Sequence, residues 1–205
     1  MDRKKVEDAL RIILEEIGED TEREGIKFTP TRVARLYENM FYGYRKTLKV
    51  MDEGERNSNN HETAIIPITV FDNSENTKEL LIRKVNFLST CEHHLATITN
   101  GECWVGIIPD KKLLGMNKID KIVKYFAAHL QIQEKMTAQI AYWINDNLNP
   151  LGVIVVIRAN HLCAELQGDD GHFTTSCVRG VFLKPEQGKS PKEEFLKLID
   201  LNGSK

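Results

Sequence analysis

The run GVIVVIRANHLCAEL, residues 152–166, constrains the fold more than any other stretch of this chain. Valine and isoleucine carry two heavy atoms on Cβ, which suits an extended backbone and crowds a helix, so the run reads as a strand. A strand needs sheet neighbours to be stable. AIIPITVF (64–71), LLIRKVNFLST (80–90), ECWVGIIP (102–109) and FTTSCVRGVFL (173–183) read as those neighbours, with turn signals between them. Pro67 has no amide donor, so its strand is expected at an edge or a bulge.

Helical periodicity occupies most of the rest. Val6, Leu10, Ile13, Leu14 and Ile17 recur at spacings of three and four over residues 2–18, ended by Gly18. A second helix is expected with Thr29 as N-cap, Pro30 at the first helical position, and Val33, Leu36, Tyr37 and Met40 on one stripe. Residues 117–149 repeat the pattern through Ile119, Ile122, Val123, Phe126 and Leu130, then Met136, Ile140, Ile144 and Leu148. Asn117 is the expected N-cap there, and Asn149-Pro150-Leu151-Gly152 the break. A short charged helix is expected after Pro185. The polar, Asn-rich MDEGERNSNNHET (51–63) reads as a linker, dividing an N-terminal helical extension and linker, residues 1–60, from a domain over residues 61–205. The class is α+β.

The bulk properties narrow the partners. With 41% hydrophobic residues, 205 residues can bury a substantial core. A net charge of −2 and a pI near 6.3 provide no basic field, so neither nucleic acid nor a membrane surface is an expected partner. An anionic ligand must be met by a local patch. No stretch reaches the roughly 18 apolar residues of a membrane span, and the first twenty residues are too charged for a secretory signal, so the cytoplasm is the expected compartment.

Four cysteines are too few for a disulfide scaffold in a chain of this length, so their neighbours decide their role. Cys91 and His94 form a C-x-x-H pair, and His161 and Cys163 an H-x-C pair, each at the end of an expected strand. Zinc takes thiolate sulfur and imidazole nitrogen, and catalytic zinc typically has three protein ligands plus water. Two cysteines and a histidine fit that count; the alternative is ordinary buried thiols beside satisfied histidines. If the pairs meet, histidines remain for acid and base work near neutral pH. Cys103 and Cys177 lack such company and read as packing residues. Lys118 and Lys121 lie three apart at a helix start, where backbone amides already favour anions, so they could hold phosphate or form a solvated face. Gln133 and Glu134 interrupt the apolar rhythm; a buried carboxylate there would need a donor-rich partner such as the Watson–Crick edge of guanine.

CEHHL (91–95), GMNKIDKIV (115–123), LQIQEKMTAQIA (130–141), LNPLGVIVVI (148–157), HLC (161–163) and TTSCVRGVF (174–182) occur in order, and together they resemble the GTP cyclohydrolase I family. FTPTRVARLY is similar to that family's TPxRVA helix, and the resemblance spans about residues 1–183. It implies a tunnelling fold, an antiparallel sheet with two helices on one side, preceded by an N-terminal helical extension. It also implies a ring-stacked homo-oligomer, typically a decamer, with active sites at subunit interfaces. Carried over residue by residue, the resemblance makes Cys91, His94 and Cys163 the zinc (Zn2+) ligands, and His93 and His161 the acid and base groups. Gln133 and Glu134 become the guanine-recognition pair, with Lys118 and Lys121 near the triphosphate. The implied reaction opens the purine imidazole ring at carbon 8, releases formate, and yields dihydroneopterin triphosphate.

Three departures bear on the substrate. Gln167 stands where the family normally has a triphosphate-binding arginine in an RG pair. The following GDDGHF loop is about three residues shorter than usual and brings Asp169 and Asp170. Asn117-Lys118 replaces the family's SK pair, and Lys121 replaces a typical arginine. GTP is the first expectation. A purine with fewer phosphates, a free base, a modified guanine, a reaction that stops at ring opening, and a catalytically idle zinc-containing binding protein are the alternatives.

Overall fold

The computed structural model describes residues 1–52, 64–183 and 190–203. In chain order the elements are α1 (Arg3–Glu16), α2 (Thr29–Met40), a single 3₁₀ turn (Tyr42–Arg45), β1 (Thr47–Asp52), β2 (Ile65–Asp72), β3 (Leu81–Cys91), β4 (Thr97–Ile108) and β5 (Lys112–Leu114). They continue with α3 (Met116–Ala127), β6 (Leu130–Gln131), α4 (Gln133–Leu148), β7 (Gly152–His161), α5 (Leu162–Glu165), β8 (His172–Gly180) and α6 (Pro191–Gly203). The class is α+β, as the residue patterns predict.

The main sheet has the order β6-β3-β4-β7-β8 and is antiparallel, except that β6 runs parallel to the end of β3. Side chains alternate across a strand. Cys103, Val105 and Ile107 of β4, with Val153, Val155 and Ile157 of β7, therefore face Ile119, Ile122, Ile140 and Ile144 of α3 and α4 in one core. Trp104 and Ile108, with Ile154 and Val156, face the opposite way and pack with Phe195 and Ile199 of α6. Burial on both faces explains why GVIVVI is continuously apolar where a half-buried strand would alternate. Gly106 makes the second packing close: a Cβ there would lie 2.6 Å from the Phe195 ring. Each fully buried large side chain of this kind contributes about 1.5–3 kcal/mol of burial.

Several local features depart from the expectations. The second helix takes Phe28, not Thr29, as its N-cap, because the preceding turn already curls and the Phe28 carbonyl accepts the first helical bond from Arg32 at 3.1 Å. FTPTRVARLYENMFYGYRKTL (28–48) is expected to be helical throughout, but the helix stops at Met40, and the chain makes the 3₁₀ turn and then β1. Gly43 lies in that turn with the His129 imidazole 2.3 Å from where a Cβ would be. β1 pairs in parallel with β2. At Pro67 β2 is paired with β1 alone, β5 covering only Val70–Asp72, so the strand there has an open flank for a residue without an amide donor. The linker expected over residues 51–63 begins too early, because Met51 and Asp52 pair with Thr69 and Val70 as the end of β1; its remainder, 53–63, lies outside the described residues.

The expected helical stretch 117–149 is two helices. Gly115 caps α3 in place of Asn117, and after Ala127 the chain peels away so that Leu130 and Gln131 pair with Thr90 and Cys91. Backbone pairing with β3 outweighs the helical rhythm there. Asn149 ends α4 in the left-handed conformation at φ 46°, as expected of the break. No helix among the described residues is long and apolar enough to cross a membrane.

Candidate active site

Strand pairing gathers the chemistry-bearing residues. β3 ends at Cys91, and the chain turns back at once, with the Cys91 amide donating to Ala96 O at 2.8 Å and the Leu95 amide to Cys91 O at 3.0 Å. That turn puts Cys91 Sγ 3.8 Å from His94 Nδ1. β7 lies beyond β4 from β3, and its last residue, His161, stands opposite Ile98 at the start of β4. The chain then coils into α5, so Cys163 sits on a helical turn and not on the strand where the sequence placed it. The turn folds its thiol back over the sheet end. One ligand atom each from Cys91, His94 and Cys163 lies within 4.8 Å of the others.

The three differ in burial: Cys91 is buried, Cys163 half-buried and His94 exposed, so the cluster opens to one side. Burial, reinforced by the neighbouring Cys91 thiol, pushes the Cys163 thiol above its ordinary value. Two adjacent thiols resist joint ionisation, and a cation between them reverses that preference. Cys103 is fully buried away from the cluster, and burial pushes its thiol far up, consistent with a packing role.

His93 is exposed, its ring 6.1 Å from that of His94 in an edge-to-face arrangement. His161 is half-buried, and this burial lowers its pKa, with nearby Glu134 opposing. Its Nε2 lies 2.9 Å from Gln133 Oε1, and its ring stands edge-to-face with Phe173 at 5.1 Å. Gln133 is only 3% exposed, whereas Glu134, next to it in the first turn of α4, is exposed. Glu92, which the sequence left without a role, accepts from Lys135 Nζ at 3.1 Å and so ties the CEHH turn to α4. No sequence signal could have paired two residues 43 positions apart.

The phosphate-side residues are placed differently. Lys118 is buried in the first turn of α3, and Lys121 lines a groove of about 360 Å³ with Tyr42, Lys46 and Lys124. α3 rises about 1.5 Å per residue, so Lys118 lies about 13 Å along the axis from Ala127, near which the chain leaves for Cys91. Gln167 is exposed, and its amide donates to Cys163 O at 2.7 Å, closing the short helix that carries Cys163. Asp170 accepts from the His172 amide at 3.0 Å within its own turn. A cavity of about 780 Å³ lined by Asn86, Leu88, Asn100, Arg158 and Asn160 touches none of the residues predicted for the site. This larger cavity and the thiol–imidazole cluster are thus separate among the described residues, and the cluster is what can act on a substrate.

Comparison with known proteins gives the chain's family. The family model for GTP cyclohydrolase I matches residues 6–200. A GTP cyclohydrolase 1 of Campylobacter jejuni is 40% identical over 201 residues, covering 97% of this chain and 96% of that one. One of Aquifex aeolicus is 40% identical over 203 residues, with 97% of both chains covered. One of Thermoanaerobacter pseudethanolicus is 36% identical over 204 residues, with 98% of both covered. Among solved structures, the apo form of an archaeosine synthase QueF-Like aligns at 17% identity and a TM-score of 0.42 over 49% of this chain and 93% of that chain. Matched by the family model over nearly its whole length and by full-length relatives at about two residues in five, the chain belongs to the GTP cyclohydrolase I family.

Proposed function

We propose that this chain is a zinc-dependent GTP cyclohydrolase that opens the imidazole ring of GTP at carbon 8, releases formate and yields 7,8-dihydroneopterin triphosphate. The observation that carries this is the convergence of Cys91, His94 and Cys163 from two strand ends, with His161 two residues from Cys163. The donor set fits zinc. Tetrahedral bonds of about 2.3 Å to sulfur and 2.0 Å to nitrogen place neighbouring S and N ligands about 3.5 Å apart, close to the observed 3.8 Å. Three protein ligands and an open side leave a position for water, as in a catalytic site. Zinc bound there would act as a Lewis acid and bring the pKa of a bound water toward neutrality.

The chain's own residues supply the rest. His161 takes a proton from the attacking water and gives it to the purine ring nitrogen as that nitrogen's bond to carbon 8 breaks, and exposed His93 assists opening of the ribose ring. Exposed Glu134 accepts from the Watson–Crick donors of guanine, Gln133 being its partner in the family pattern. Lys118 and Lys121 meet the triphosphate. The family resemblance implies active sites at subunit interfaces, so a second chain is proposed to complete the site. Exposed apolar side chains on and before the N-terminal helices (Ile13 56%, Ile17 73%, Phe28 57%, Leu36 53%) also favour a homo-oligomer, for which the family suggests a decamer. The five-stranded sheet with α3 and α4 on one face supports a tunnelling-fold domain over residues 61–205, with residues 1–60 as its helical extension. The cytoplasm is the proposed compartment.

A second reading, a purine with fewer phosphates or a free base, is favoured by Gln167: a neutral amide bound to Cys163 O stands where a guanidinium would grip phosphate. Zinc-loaded protein incubated with GTP, GMP, guanosine, guanine and 8-oxoguanine, with ring opening followed by absorbance and formate by mass spectrometry, decides between the two. GTP is expected to turn over fastest. Faster turnover of another purine replaces the substrate, ring opening without formate marks a reaction that stops there, and no ring opening of any of them leaves a binding protein.

A further inference from the structure

We infer that Gln133 is a positioning residue for His161, and that its amide does not read the guanine base. This rests on the cyclohydrolase reading above and assigns Gln133 a different task from the one its family pattern implies.

Thr137 Oγ1 has one proton, and it donates that proton to Gln133 O at 2.7 Å. Thr137 and Thr175 hydroxyls are 2.7 Å apart, so Thr175 must be the donor in that contact. The Thr175 oxygen then accepts from Gln133 Nε2, at 3.1 Å. Gln133 Nε2 also faces two backbone carbonyls, Ile157 O and Phe173 O, each at 3.2 Å. Turning the amide over would press its oxygen against those two carbonyl oxygens. The amide therefore has one orientation, with Oε1 toward His161 Nε2 at 2.9 Å.

An amide oxygen can only accept, so His161 Nε2 carries a hydrogen and, in the neutral ring, the lone pair lies on Nδ1. Phe173, edge-on to the ring at 5.1 Å, holds its plane. The atom of His161 that exchanges a proton with substrate is thus Nδ1. Gln133 is 3% exposed, and swinging its amide out to a base would break its bonds to Ile157, Phe173, Thr175 and His161 together. Base recognition at the start of α4 falls to exposed Glu134.

The test compares Gln133→Met, which keeps volume and removes both polar atoms, with Thr175→Val, which removes one acceptor of the amide. Under steady-state turnover of GTP, Gln133→Met is expected to lower kcat about 10- to 100-fold with KM within about threefold of wild type. Thr175→Val is expected to lower kcat by a smaller factor, also at constant KM, and serves if Gln133→Met does not fold by circular dichroism. A tenfold rise in KM with kcat retained in Gln133→Met would make the residue a base reader and overturn the proposal, as would unchanged kcat in both variants. If the wild-type protein does not turn over GTP, the cyclohydrolase reading fails on its own, and the positioning claim is read from ¹⁵N shifts of histidine-labelled protein. His161 is expected as a single Nε2–H tautomer in the wild type and a mixture in the variants; the same single tautomer in all three overturns it.

Discussion

Gly101 offers a quantitative test of how packing holds in place the turn that carries Cys91 and His94. It stands opposite Phe87 in the β3–β4 ladder, where the register on β3 shifts between Phe87 and Ser89, and the β4–β7 register shifts between Thr99 and Glu102. A Cβ at this position would lie 2.7 Å from Phe87 Cζ and 2.7 Å from Phe87 O. Ordinary contact begins near 3.4 Å, so Gly101→Ala requires a local displacement of about 0.7 Å. Phe87 and Gly101 both line the cavity of about 780 Å³, so the ring has room to turn, whereas the carbonyl belongs to the strand backbone and cannot. Overpacking costs about 1–3 kcal/mol, and the backbone contact puts this case in the upper half, at about 2–3 kcal/mol. For a chain of this size that is a fall in Tm of about 4–12 °C. Cys91 lies four residues further along the same strand, so metal content should fall with stability. The assay is thermal melting by circular dichroism of metal-saturated protein, with metal analysis by mass spectrometry. Adding Phe87→Leu should recover part of the loss, because the carbonyl contact remains. Melting within about 1 °C of wild type would refute the claim that the bulge is filled by Phe87.

Three further outcomes are expected. Cys163→Ser should weaken zinc affinity by at least about 100-fold, read by competition with a chelating indicator, whereas Cys103→Ser should leave the metal stoichiometry unchanged and lower only the denaturation midpoint. Gln167→Arg replaces the amide bound to Cys163 O with a phosphate-binding fork; KM should fall several-fold for GTP and stay constant for guanosine. Asp120 accepts from Arg83 at 2.8 and 2.9 Å, and the guanidinium holds its carboxyl below its ordinary value of 3.8. A depressed folded-state pKa stabilises at pH above the unfolded value and is lost as pH falls through the folded one. Asp120→Asn should therefore lower the urea midpoint slightly at pH 7, and the difference from wild type should shrink in acid below 3.8.

The strands and the chemistry-bearing residues were legible because each rests on a local signal. Residues 152–161 are β-branched, Cys91-x-x-His94 and His161-x-Cys163 are short motifs, and α1 has an apolar stripe over an intact period. The break between α3 and α4 was not legible: Leu130 continues the helical rhythm, and only pairing with β3 pulls Leu130 and Gln131 out of it. β1 was missed for the same reason, since its partner β2 lies beyond residues 53–63.

The site divides along the same line. Residue types and spacing determined which groups could bind a metal or move a proton, because those capacities belong to the side chains themselves. Which groups meet was decided by the sheet, which brings Cys91 and Cys163 together from positions 72 residues apart in the chain. Gln133 is the clearest case. Its place in the QE pair was visible in the sequence, but its hydrogen bonds come from Ile157, Phe173, Thr175 and His161. A buried amide satisfies its donors and acceptor with whatever the fold brings within about 3 Å, and no pattern of neighbouring residues encodes that.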